Sequence, residues 1–390
     1  MKVDAFAIRD QRFDDWERKV AGRWSIEDLR ADERFRDGWL SFDCLSWDAD
    51  NRKLYLGLTL INTDIFWSFD SRSETFSSLG FPSVSDRFDA KFHRSLERDT
   101  DGSYLVATAL LHDVDQQFSA AGGKLVRYEP ETGSYQLLDI PIEGQYIQSI
   151  VLDRDRRLVY GFTYPAEYMF VHDLSTGVSR KLAYLGNSRM ICQPHNAVLD
   201  SRGRVWGTWG ENRAFEYSTG EVPIRYFCYD PETGQFEWFP FGPPTTGRGD
   251  SGAIDHMLLA TDGLIYVGTV AGGLSTLNPE TGEVVSLGKP FSGTRLAGLV
   301  QARDRHIYGA GNSGLDSAGR GTARMFRYKL SGGDAEDLGR IFDESRDDGA
   351  VKVHMLVEGE DGVLYAGEND NPYRSSYLWR CQLDVARDDN

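Results

Sequence analysis

The chain has 390 residues, 12% of them aromatic, with 41 glycines and 13 prolines, a mixture that favours many short strands broken by turns over long helices. Its 43 Lys and Arg face 60 Asp and Glu, and the net charge of −17 makes a nucleic-acid backbone or an anionic membrane a poor partner for the surface as a whole, leaving room only for a local basic pocket. No apolar run reaches membrane-spanning length and the first residues lack the apolar core of a secretory signal, so the expectation is a cytoplasmic protein with no membrane partner. Cys44, Cys192, Cys228 and Cys381 lie far apart with no Cys-x-x-Cys spacing, which points to small core residues rather than a zinc ribbon or a disulfide framework.

Residues 1–40 differ from the rest of the chain. Val3–Ile8 reads as a strand, and Asp10–Arg36 is charge-rich with Phe13, Trp16 and Val20 at helical spacing, which predicts a helical segment lying on the outside of the body. Residues 41–383 then repeat one unit seven times. Each copy has an apolar run, a polar turn and a strand carrying an aromatic: Tyr55, Tyr104, Tyr160, Trp206, Tyr266, Tyr308 and Tyr365, each with Gly or Ala within three residues after it and spaced 42 to 60 residues apart. A third and a fourth strand come next, joined in four copies by Glu129–Gly133, Asp173–Gly177, Asp230–Gly234 and Asn278–Gly282, where the closing Gly supplies the positive φ of the turn.

Four-stranded units at this period predict an all-β, seven-bladed β-propeller, an architecture that avoids a long exposed sheet edge. The seventh copy ends after its third strand, because residues 384–390 are a short charged tail. Val3–Ile8 is therefore expected to supply the missing strand and close the propeller.

In a propeller the first strand of each blade lines the central channel. Counting back eleven residues from each aromatic gives Cys44, His93, Ser149, His195, Asp255, Ala297 and His354, with His256 one residue beyond Asp255. Seven histidines in the whole chain make three at one register an excess that calls for a reason. Histidines converging on one mouth could bind a divalent metal (Ca, Mn or Zn), with His195, His256 and His354 as ligands, or supply acid, base and charge stabilisation. Loops on the same face add His112 in the stretch Ala109–Gly123, Tyr164 and Tyr168, Arg213, and Asn371, Tyr373 and Arg374. Gly309–Gly314 matches GxGxxG, but the glycines soon after it forbid the helix a dinucleotide site needs. No Gly-x-Ser-x-Gly or paired-carboxylate motif stands out.

With blade count, inner-strand histidines, loop tyrosines and arginines, and segments such as Lys91–Leu96 and Gly367–Asn371, residues 44–383 resemble the seven-bladed β-propeller polysaccharide lyases. These include ulvan lyases, rhamnose–glucuronate lyases and, with a metal bound by several histidines, oligogalacturonate lyases. The resemblance implies β-elimination on an acidic, uronate-containing oligosaccharide. A base would take the C5 proton, positive charge would neutralise the carboxylate, and an acid would protonate the departing O4. It implies Arg374, Arg213 or a histidine-bound metal as neutraliser, one of His93, His195 and His354 as base or neutraliser, and Tyr164 as base or acid. Arg213, Asn371, Tyr168, Tyr373 and His112 would bind substrate. A lactonase or streptogramin-lyase-like propeller, and a non-catalytic interaction propeller, are the alternatives, since propellers host many functions.

Overall fold

The computed structural model describes residues 1–13, 25–187, 197–210, 224–247, 250–360 and 362–383. The fold is the all-β, seven-bladed propeller that the repeat predicts, built from four-stranded antiparallel blades. The chain separates into two compact units, Met1–Lys91 with Gly298–Asn390, and Phe92–Ala297. No described helix is long and apolar enough to cross a membrane.

The first unit holds blades one, six and seven. Blade one is Leu40–Asp48, Lys53–Leu60, Phe66–Asp70 and Thr75–Ser78; blade six is Gly298–Gln301, His306–Gly311, Arg324–Lys329 and Glu336–Arg340. Blade seven joins Val353–Glu358, Val363–Glu368 and Leu378–Gln382 to Lys2–Phe6, which pairs antiparallel with Leu378–Gln382 from Lys2↔Gln382 to Phe6↔Leu378. The first strand in sequence thus completes the last blade, as expected. Val3 and Ala5 bury their side chains in a cluster with Met325, Trp379 and Cys381. Of the predicted helical segment, two short helices are described, Ile26–Ala31 and Glu33–Gly38; Trp16 and Val20 lie outside the described residues. Ser25 and Asp28 form a capping box on the first helix, and Phe35 of the second packs its ring against that of buried Phe13 at 5.2 Å.

The second unit holds blades two to five, whose first strands are Leu96–Arg98, Tyr146–Asp153, Val198–Leu199 and Ile254–Leu259. Apolar clusters fill the spaces between successive blades: Leu105, Ile150 and Phe170 between two and three, Phe162, Val205 and Phe227 between three and four, Tyr226, Met257 and Val267 between four and five.

The repeat's chemistry is visible at each turn. All seven second-strand aromatics are buried. Three donate back to an Asp of the preceding turn: Trp206 Nε1 to Asp200 at 2.8 Å, Tyr266 to Asp262 at 3.0 Å and Tyr308 to Asp304 at 2.7 Å. Gly161 and Gly309 stand just after the aromatic because the rings of Phe170 and Phe326 on the third strand occupy the space a Cβ would need. In the third-to-fourth-strand turns, Gly133, Gly177, Gly234 and Gly282 have φ between 68° and 74°, and each N–H bonds the carbonyl four residues back at 2.8 Å. The GxGxxG stretch runs from a strand into a loop and on to the strand Arg324–Lys329, with no helix after it.

Deleting residues 1–9 should lower Tm by about 5 °C or more, since it uncovers a strand edge and part of an apolar cluster. A differential scanning measurement with unchanged Tm would show that the Lys2–Phe6 strand contributes no stability.

Candidate functional site

In four blades the described first strand meets the second through a β-bulge. The residue thrown out of the ladder is Asp43 in blade one, Gln148 in blade three, Asp255 in blade five and His354 in blade seven. Eleven residues back from the aromatic reaches this position in blades five and seven. In blades one and three the turn between the first two strands is one residue longer, so the count lands on Cys44 and Ser149, one residue past the bulge. Cys44 is a buried core residue. Asp43 was the residue missed, and counting from the turn rather than from the aromatic would have found it.

In the first unit, His354 and Asp43 are both buried, and His354 Nδ1 lies 2.7 Å from the Asp43 carbonyl. A carbonyl only accepts, so in the neutral ring Nδ1 carries the proton and Nε2 the lone pair. The Asp43 carboxylate accepts from Asn369 Nδ2 at 2.6 Å, from Lys91 Nζ at 3.1 Å and from the Thr59 hydroxyl. Burial raises the Asp43 carboxyl above the ordinary carboxylate range, and the Lys91 ammonium opposes the rise. Asn369 is buried too, and its Oδ1 has no hydrogen-bond partner among the described residues. Carboxylate, amide oxygen and imidazole are donors suited to a hard or borderline divalent cation.

In the second unit, His93 is buried and its Nδ1 lies 3.1 Å from the carbonyl of Gln148, the bulge residue of blade three. The same clamp therefore fixes its tautomer. Two residues before Gln148 stands Tyr146, whose ring packs on Tyr164 at 5.0 Å, so blade three brings the tyrosine pair and the support of His93 to one strand end. Arg94 reaches from blade two to blade five, placing Nη1 2.7 Å from His256 Nδ1 and Nη2 2.7 Å from the Ala297 carbonyl. Asp255 is ion-paired to Arg295 at 2.7 Å.

This arrangement corrects three expectations. His256 Nδ1 is not open to a metal, because the Arg94 guanidinium stands 2.7 Å from it and the Ala297 carbonyl 2.9 Å; burial first, and Arg94 second, push the ring's pKa down to about 3. Arg374 is not presented to a ligand. It is 2% exposed and its guanidinium is bound to Glu368 through Nη1 at 2.7 Å and Nη2 at 3.1 Å, to Asp348 through Nε at 2.8 Å, and to the Gly349 carbonyl. Asn371 is equally structural: Nδ2 donates to Glu368, and Oδ1 accepts the N–H groups of Tyr373 and Arg374. The Tyr373 carbonyl accepts from Phe13 N, so this turn anchors the N-terminal segment. His112 is half-buried with Nδ1 2.9 Å from the Asp113 carbonyl, and Tyr168 is half-buried beside Tyr184. His195 and Arg213 lie outside the described residues.

No known protein-family profile matches the chain, and no curated protein matches it. Solved structures do. A streptogramin B lyase is 12% identical with a TM-score of 0.60 over 87% of this chain and 93% of that one. An oligogalacturonate lyase in complex with manganese is 12% identical with a TM-score of 0.57 over 90% and 92%. A chain of the mitotic checkpoint complex is 12% identical with a TM-score of 0.56 over 88% and 89%. Likeness at this identity defines the class, a seven-bladed β-propeller whose structural neighbours include two lyases.

Arg374→Ala should cost about 3–5 kcal/mol, because it strands Glu368 as a buried charge. Chemical denaturation measures this, and a loss below about 1 kcal/mol would contradict the structural assignment. His256 gives a second expectation. Its folded pKa of about 3 lies below the ordinary 6.5, so the unfolded chain binds the proton more tightly. Stability present above pH 6.5 should decline toward pH 3 by up to about 1.4 kcal/mol per unit. His256→Gln should flatten that acid limb in denaturant titrations, and an identical limb in the variant would place its origin elsewhere.

Proposed function

We propose that this protein is a carbon–oxygen lyase that cleaves a uronate-containing oligosaccharide by β-elimination. The observation that carries the reading is the clamp on His93: a buried imidazole at the start of a blade, with Nδ1 3.1 Å from the Gln148 carbonyl, which leaves Nε2 as the basic nitrogen of the neutral ring. His93 Nε2 takes the C5 proton. The electron pair of that C–H bond forms the C4–C5 double bond as the C4–O4 bond breaks, and Tyr164 donates its phenolic proton to O4. The Gln148 carbonyl holds the ring in place and stabilises the imidazolium as it forms.

A divalent cation fits the first unit's donors Asp43, Asn369 Oδ1 and His354, and the orphaned, buried amide oxygen is the observation in its favour. When bound, such a cation would supply positive charge that offsets a carboxylate of an anionic ligand. The manganese of the oligogalacturonate lyase supports the same chemistry. Lys91, beside Asp43, contributes positive charge of its own.

Incubation with oligogalacturonate, ulvan-type and rhamnose–glucuronate oligosaccharides should yield an unsaturated uronate, detected by its ultraviolet absorbance. His93→Ala and Tyr164→Phe should each lower kcat by about 100-fold or more. Chelation should slow the reaction and manganese restore it, and Asp43→Asn should reduce bound metal in elemental analysis. No unsaturated product from any of the three substrates would overturn the reading.

A further inference from the structure

The outer two strands of blade three carry an aromatic and cationic arrangement of their own. Tyr168 on the strand Ala166–Asp173 stands directly opposite Tyr184 on the outermost strand, Val178–Asn187. Their ring centroids are 5.4 Å apart at 56°, an angled pair rather than a stack. Lys181 places Nζ 4.3 Å over the Tyr168 ring. Register shifts between Glu167 and Tyr168 and between Met169 and Phe170 interrupt the regular alternation of these strands here. Tyr184 is 52% exposed, a large ring left in solvent on an outer strand.

We propose that Tyr168, Tyr184 and Lys181 form a subsite for one anionic pyranose ring, a uronate residue other than the one that loses its C5 proton. The inference rests on the lyase reading for its substrate class. A pyranose has an apolar C–H face that covers an exposed aromatic ring and an equatorial rim of hydroxyls that matches the phenolic edges. Its carboxylate meets the ammonium of Lys181, a cation held on an aromatic face in a chain whose net charge is −17. An aliphatic peptide side chain would desolvate that ammonium without compensation, and a second copy of so acidic a chain would be repelled. An acidic sugar satisfies both the rings and the charge.

The test is calorimetric titration of the full-length His93→Ala protein, which removes turnover, with a galacturonate tetramer and a glucuronate-containing tetrasaccharide. At least one should bind, its methyl ester should bind at least about tenfold more weakly, and Tyr184→Ala and Lys181→Met should each cause a loss of that order, while Tyr184→Phe and Lys181→Arg keep most of the affinity. Binding of neither sugar, or binding unmoved by Tyr184→Ala and Lys181→Met, overturns the subsite. Binding that depends on these residues while the unsubstituted protein forms no unsaturated product sustains the subsite and removes the lyase reading. Product formation with affinity indifferent to the substitutions does the reverse.

Discussion

The structure depends on one irregularity, the bulge near the start of a blade's first strand. A regular ladder commits every side chain to one face or the other. The extra residue of a bulge belongs to neither, and its carbonyl turns out of the sheet's own hydrogen bonding. Here that carbonyl receives an imidazole from the preceding blade, Gln148 for His93 in one unit and Asp43 for His354 in the other. The same backbone defect thus presents a side chain of its own and fixes the tautomer of its neighbour's.

The architecture was legible because its determinants are local. Aromatic residues followed by a small residue recur in the chain, all seven are buried, and Trp206, Tyr266 and Tyr308 hydrogen-bond within six residues of themselves. Even the long-range closure was readable, since a blade short of one strand leaves an edge that some other segment must pair. The candidate site was legible only in part. Asp43 escaped because a turn longer by one residue shifts the count, a difference that hydrophobic periodicity does not register. Arg374 was misleading for a different reason: its residue type suits an anion, and only the fold supplies Glu368 and Asp348 as the anions it meets.

Glu368 and Asp43 are both buried carboxylates, and they show how a structural and a chemical role separate physically. Glu368 accepts from Arg374, Asn371, the backbone N–H groups of Val351 and Tyr377, and Trp379 Nε1. Every direction around it is used, and the result is rigidity. Around Asp43 the hydrogen bonding does not close in the same way, because the amide that donates to it keeps an unmatched buried oxygen. Unmet hydrogen-bonding capacity next to a carboxylate and an imidazole is costly to the fold and useful to a ligand.

The pairing of Lys2–Phe6 with Leu378–Gln382 also bears on how the protein folds. Asp4 and Arg380, joined by an ion pair, are 376 positions apart, so this blade is assembled from contacts of very high sequence separation. The other six blades each draw their four strands from one continuous stretch and can form while synthesis proceeds. The last blade waits until residue 382 has been made, and the entropy of bringing such distant segments together falls on this single step. Until then the apolar cluster around Trp379 lacks Val3 and Ala5, which makes this blade the place where folding finishes and where it is most open to mispairing.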